Sequence, residues 1–128
     1  MSKGAYVLPY LNLDTFLLAQ LRKRGNASCM EETAYRQSRL CRLLGNPLAF
    51  AIVQALAEYR ELSPSVLAKT VGRSLSRVSH VLGALRLAEV VRYETERRRA
   101  RYRLKHPRQV QRILRALGQF VDVASRSR

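Results

Sequence analysis

Residues 74–104 constrain this chain more than any other stretch, because helical periodicity there gives way to strand periodicity around a run of cations. Leu75, Val78, Leu82 and Leu85 recur at intervals of three and four, which places them on one helical face. Ser76, Arg77, Ser79, His80 and Gly83 fall between them and face away. Ser74 precedes the pattern and can accept from a free amide as an N-cap. Residues 90–95 and 101–104 are β-prone and flank the charged tip Glu96-Arg97-Arg98-Arg99, so they predict a hairpin. The tip lacks the Asn-Gly or Asp-Gly that usually marks a tight hairpin turn.

The rest of the chain supplies helices around this unit. Asp14 can cap a helix over 14–24 that ends in Arg22, Lys23 and Arg24 before Gly25, cations that suit a negative helix end. Ser28 with Glu31 has capping-box spacing and predicts a second helix running to Leu44, stopped by Gly45. Pro47 opens a third at a position where its missing donor is harmless, with Leu48, Ile52, Ala55, Leu56 and Tyr59 as the expected buried stripe. Ser63-Pro64 opens a short helix over Val66, Leu67 and Val71, and Gly72 makes the turn into the helix capped by Ser74. The two together read as a helix-turn-helix. Pro107 opens the last helix, with Val110, Ile113, Leu114, Leu117 and Val121 as an apolar stripe that needs a partner surface. The expected fold is therefore mainly α with a small β-hairpin, a winged helix-turn-helix. Its terminal helices are the natural surface for a homodimer. The expected organisation is an extension over 1–27 with an amphipathic helix, the winged domain with its dimerisation helix over 28–124, and a tail over 125–128. Reinforcement of the dimer is the role expected for the extension.

Charge narrows the partner. The 128 residues carry 24 Lys plus Arg against 9 Asp plus Glu, a net charge of +15. Residues 69–115 hold fourteen of the basic and three of the acidic residues, so +11 of the +15 coincides with the helix-turn-helix and the hairpin. A field of that sign and concentration suits a polyanion. Arg77 can bond guanine O6 and N7 in a bidentate pair, while Ser76, Ser79 and His80 can reach base edges or phosphate. Ser74 and Ser76 stand at a helix N-terminus, where free amides also favour phosphate. Arg97, Arg98 and Arg99, flanked by Arg92, Arg101 and Arg103, would lie against phosphates or reach into a minor groove. The expected DNA-binding set is Ser74, Ser76, Arg77, Ser79, His80, Arg97, Arg98, Arg99 and Arg101. Tyr93 and Tyr102 fall on opposite strands and are expected to brace the hairpin as a cross-strand pair.

Other chemistry has little support. His80 has Ser76, Arg77, Gly83 and Ala84 at helical neighbour positions, none of them a metal ligand of the kind a transition-metal site requires. No Ser/His/Asp set, paired carboxylates or phosphate loop is present, so an enzyme is not expected. The apolar stretch over 6–21 is broken by Pro9, Asn12, Asp14 and Gln20 and lacks a cleavage site for secretion, which points to the cytoplasm and away from membranes. Cys29 and Cys41 are too few for a disulfide framework. They lie twelve residues apart on one helix, roughly 18 Å at 1.5 Å per residue, too far to bond each other within it. Cys41, among Leu40, Leu43 and Leu44, reads as a core residue. Cys29 is the candidate sensing thiol, with Arg36 and Arg39 available to favour its thiolate.

The arrangement resembles the ArsR/SmtB family of bacterial and archaeal repressors. The resemblance rests on Leu43-Leu44-Gly45-Asn46-Pro47, Ile52-Val53-Gln54-Ala55-Leu56, Glu61-Leu62, Leu67-Ala68, Ser76-Arg77-Val78-Ser79-His80-Val81-Leu82, Leu85-Arg86, and Val90-Val91-Arg92 through Tyr102-Arg103-Leu104, and it covers residues 39–121. It implies a homodimeric winged helix that represses transcription and releases DNA when an effector binds. The family's metal sensors carry Cys-x-Cys just after Glu-Leu, where this chain has Ser63 and Ser65. Hydroxyls do not replace thiolates toward soft metals. A second family site uses carboxylates and histidines on the last helix, where this chain offers His106, several glutamines and the distant Asp122. The expectation is a sequence-specific regulator of double-stranded DNA, a dimeric repressor with no metal or other cofactor, its small-molecule or redox effector open. The competing expectation is a non-specific architectural or RNA-binding winged-helix module.

Overall fold

The computed structural model describes residues 27–127, with side chains from Glu31 onward. The helix expected over 14–24, nearly all of the extension and the side chain of Cys29 lie outside the described residues. The chain divides into two units, Met1–Cys41 and Arg42–Arg128.

Helix α1 (Ala27–Leu44) is already helical at Ala27, so Ser28 sits inside it and not at the cap that the Ser28/Glu31 spacing predicts. An N-cap residue must leave helical geometry, which Ser28 does not. One turn apart on this helix, the Arg39 guanidinium lies 5.8 Å from the Tyr35 ring centre. Cys41 is exposed, against the expectation of a core position. The half-buried Leu40, Leu43 and Leu44 share one face, and Cys41 is rotated about 100° from Leu40, off that face.

Helix α2 (Pro47–Tyr59) starts where Asn46 Oδ1 accepts from the amides of Leu48 at 2.9 Å and Ala49 at 3.2 Å. It buries Ala49, Ile52, Val53, Ala55 and Leu56. Tyr59, expected on that stripe, is exposed, because the helix ends there and Arg60, at φ 64°, turns the chain into β1 (Glu61–Leu62). Ser63 caps α3 (Pro64–Val71) by accepting from Val66 N, and Leu67 and Ala68 face the core. Val66, expected to join them, is exposed.

Gly72 ends α3 at φ 67°, and the amides of Gly72 and Arg73 both return to the Ala68 carbonyl. This is the tight turn of the helix-turn-helix, in a conformation that side chains disfavour. A Cβ at Gly72 would meet nothing within 4 Å, so only the backbone resists a larger residue. Gly72→Ala should therefore cost about 1 kcal/mol and lower Tm by roughly 4–8 °C in a thermal melt. An unchanged melting curve would show that the turn tolerates a side chain.

Helix α4 (Leu75–Leu87) buries Val78, Leu82 and Leu85. Leu75, expected with them, is half exposed because it opens the first turn, beyond the packed ones. The far end closes with Val90 N donating to Leu85 O at 3.0 Å and Glu89 N to Arg86 O at 3.1 Å, around Glu89 at φ 63°. Strands β2 (Val91–Glu96) and β3 (Arg99–Leu104) follow as an antiparallel hairpin. Its ladder reaches two pairs further toward the tip than the residue pattern predicts, Thr95 with Ala100 and Glu96 with Arg99, leaving only Arg97 and Arg98 outside it. β1 adds to β3 with Glu61 opposite Arg103 and Leu62 opposite Tyr102, giving a three-stranded sheet of order β1-β3-β2. Two residues are too few to show strand periodicity, so β1 was not legible in the sequence.

The core lies between α2, α3, α4 and the sheet. Ile52, Val53, Leu56, Leu67, Val78, Leu82, Leu85 and Val91 are its largest fully buried side chains, and no polar or charged residue is buried among the described residues. Helix α5 (Pro107–Arg126) packs its first turns near α2, where Val110 and Leu114 are half-buried. It buries no residue completely, and Ile113, Leu117, Phe120 and Val121 remain exposed. Among the described residues no single helix is long and apolar enough to cross a membrane.

Candidate nucleic-acid interface

Burial of Val78, Leu82 and Leu85 orients α4 and turns its other side outward. Ser76, Arg77, Ser79, His80 and Gly83 are all exposed on that side. Ser74 is exposed too, but its hydroxyl is engaged, accepting from Arg77 N at 3.3 Å. That bond fixes the first turn and with it the start of the exposed face. Ser76, Arg77 and His80 line one groove with Asn46 and Pro47 of the α2 N-terminus and with Arg73. Arg73 was not singled out from the sequence; its only signal there is a cation directly before an N-cap. His80 also lines a second groove, between α4 and β2, with Gly83, Arg86, Glu89, Arg92, Tyr93 and Lys105. Ser79 is exposed and lines neither groove.

The hairpin has two unlike faces. Cross-strand partners share a face, so Arg92, Glu94 and Glu96 stand with Arg103, Arg101 and Arg99 on one side, and Tyr93 and Thr95 stand with Tyr102 and Ala100 on the other. The Tyr93 and Tyr102 rings meet edge to face with centres 5.3 Å apart, the cross-strand pair that their positions predict. Arg86, in the last turn of α4, lies 5.3 Å from the Tyr93 ring centre and ties the helix to the hairpin.

On the charged face most arginines have carboxylate partners. Glu94 Oε1 accepts from both Arg92 and Arg103. Arg101 Nη1 donates to Glu61 Oε1 at 2.9 Å, joining the hairpin to β1. Below the hairpin Lys105 pairs with Glu89. Among the described residues Arg97, Arg98 and Arg99 make no ion pair, and all three are exposed. The excess positive charge of the hairpin is therefore concentrated at its tip.

The serines at the positions matching the family's thiolate ligands serve local structure. Ser63 Oγ caps α3 and lies 3.3 Å from Ser65 Oγ. No group of three His, Cys, Asp or Glu side chains is placed to hold a metal ion among the described residues.

Solved structures share this architecture. One is the homodimeric winged helix-turn-helix DNA-binding domain (fragment 1–100) of Mb0332 from Mycobacterium bovis, described as a possible ArsR-family transcriptional regulator. It superposes with a TM-score of 0.69 at 22% identity, covering 77% of this chain and 90% of that one. The chain has the winged helix-turn-helix fold of ArsR-type regulators. The transcriptional repressor BigR from Xylella fastidiosa matches at 27% identity and a TM-score of 0.61, over 73% of this chain and 93% of its own. The antimony-specific transcriptional repressor AntR matches at 26% identity and a TM-score of 0.62, over 73% and 83%. No protein-family model and no curated protein sequence matches the chain. In the terms of this ArsR-type fold, α3 and α4 are the helix-turn-helix, α4 is the recognition helix and β2–β3 is the wing.

Proposed function

We propose that this chain is a sequence-specific, DNA-binding transcriptional regulator of the ArsR type, acting in the cytoplasm as a dimeric repressor and not as an enzyme. The observation that carries the reading is the recognition helix: Ser76, Arg77, Ser79 and His80 stand exposed on the face opposite its core contacts, beside a wing whose tip holds three unpaired arginines. An α-helix presented this way fits a major groove, and a basic wing fits the flanking phosphates. Arg77 reads a base, Ser79 and His80 bond base edges or phosphate, and Ser74 and Ser76 position the helix N-terminus on the backbone. Arg97, Arg98, Arg99 and Arg101 take phosphates, Arg101 through the donors that Glu61 leaves available. Residues 28–124 form the DNA-binding and dimerisation domain, and residues 1–27 reinforce the dimer. The possible transcriptional regulator and the transcriptional repressors to which the chain is similar support the regulatory reading over an architectural one.

Selection of bound sequences from a random duplex pool at about physiological salt tests this directly. An inverted repeat with half-sites about one helical turn apart is the expected result. Tight binding without enrichment would replace it with the architectural or RNA-binding module. On the selected site, Arg77→Ala should relax discrimination at one base position by about 1–3 kcal/mol. Equal weakening on every sequence would make Arg77 a phosphate contact.

A further inference from the structure

The wing's turn consists of two residues, Arg97 and Arg98, between the last ladder pair Glu96 and Arg99. Both adopt positive φ, 50° and 65°. A two-residue hairpin turn with positive φ at both positions matches the right-handed twist of its strands and is normally built from Asn-Gly. Arginine has a Cβ, and the left-handed region disfavours it at each of the two positions. The rest of the hairpin holds the turn in place: the Tyr93–Tyr102 contact, the six-pair ladder and the Glu94 carboxylate shared by Arg92 and Arg103 over-determine the strand register. The Glu94 and Glu61 carboxylates occupy the arginines of the wing's body, whereas the two turn residues are exposed and make no ion pair.

We propose that the Arg97–Arg98 turn is a strained phosphate-binding element, in which hairpin stability is given up to fix two unpaired guanidinium groups at the foremost point of the wing. The inference rests on the DNA-binding reading and adds to it the part of the wing that dominates backbone contact and its backbone cause. Strained backbone conformations persist where the surrounding structure imposes them and cluster at functional sites. Here the strain falls on two of the three residues that carry the free charge.

Two double variants, measured on the full chain and on a duplex that the unmodified protein binds, test it. R97N/R98G should raise Tm by about 5 °C at fixed protein concentration, because the turn then carries the residues its geometry favours. It should also weaken duplex binding by on the order of tenfold or more near 0.1 M salt, with the slope of log K against log salt shallower by roughly two per protomer, about four for a dimer on two half-sites. R97K/R98K keeps both charges and a Cβ at both positions, so it should retain the unmodified melting temperature within a few degrees and the unmodified salt slope. An R97N/R98G protein that melts no higher than the unmodified one overturns the strain. An unchanged salt slope with normal binding by the unmodified protein overturns the phosphate contact and leaves the regulator reading standing. An unmodified chain that binds no duplex removes both.

Discussion

Leu82→Ala should destabilise the protein by about 2–5 kcal/mol, among the largest losses expected from a single truncation here. Leu82 is completely buried on the inner face of α4, which packs against α2, α3 and β2. Removing its terminal carbons takes away their transfer free energy and leaves a void that helices anchored by Val78 and Leu85 cannot fully close. Domains of this size are stable by only about 5–15 kcal/mol, so the variant's Tm should fall by roughly 10 °C or more. Urea unfolding at equilibrium measures the loss. Leu75→Ala on the same helix is the internal comparison: Leu75 is 50% exposed and should lose about 1 kcal/mol or less. Equal losses at both positions would show that α4 is not held by the face described. DNA affinity per folded molecule should be unchanged by Leu82→Ala, since the side chain points away from the groove-facing residues.

Leu117→Asp should abolish dimerisation, raising the dimer dissociation constant at least 100-fold, with loss of tight binding to a two-half-site duplex. Leu117 sits in the middle of the α5 stripe and is 43% exposed within one protomer. Ile113, Phe120 and Val121 beside it are also open, and a Cβ at Gly118, on the flank of the same stripe, would meet nothing within 4 Å. A glycine that its own protomer does not require fits the close approach of a second helix. Burying a carboxylate against such a surface without a partner costs several kcal/mol. Sedimentation velocity across a concentration series gives the constant, and circular dichroism checks the fold, which should persist because no residue of α5 is buried in the protomer. A variant that still sediments as a dimer would move the interface away from this helix.

Much of the candidate site was legible before any fold was known because its signals are local. Ser74 stands at the cap and Gly72 at the turn for reasons of backbone hydrogen bonding within a few residues. The recognition face followed once the apolar period placed Val78, Leu82 and Leu85 inward. The same reasoning failed at element ends. Tyr59 and Leu75 obey the helical period, yet they stand at a last and a first residue, where the chain leaves the core and periodicity no longer predicts burial. Cys41 misled for a different reason, since apolar neighbours in sequence lie on a different helical face.

The sequence alone determined the helices, the turn between α3 and α4, the existence of the wing and the positive field around it, since caps, turn glycines, period and charge act over short spans. Only the tertiary structure decided which arginines of the wing are available. Glu61 is forty residues from Arg101, and Glu94 reaches Arg103 only through the hairpin register. Ion pairing of that kind depends on distance in space, which a linear charge count does not contain. The tertiary structure also brought Arg73 and Asn46 to one groove with Arg77 and His80, and it added β1, a strand that exists only because β3 offers it an edge. Local chemistry is written in neighbouring residues, whereas the sharing of charges and edges is settled by packing.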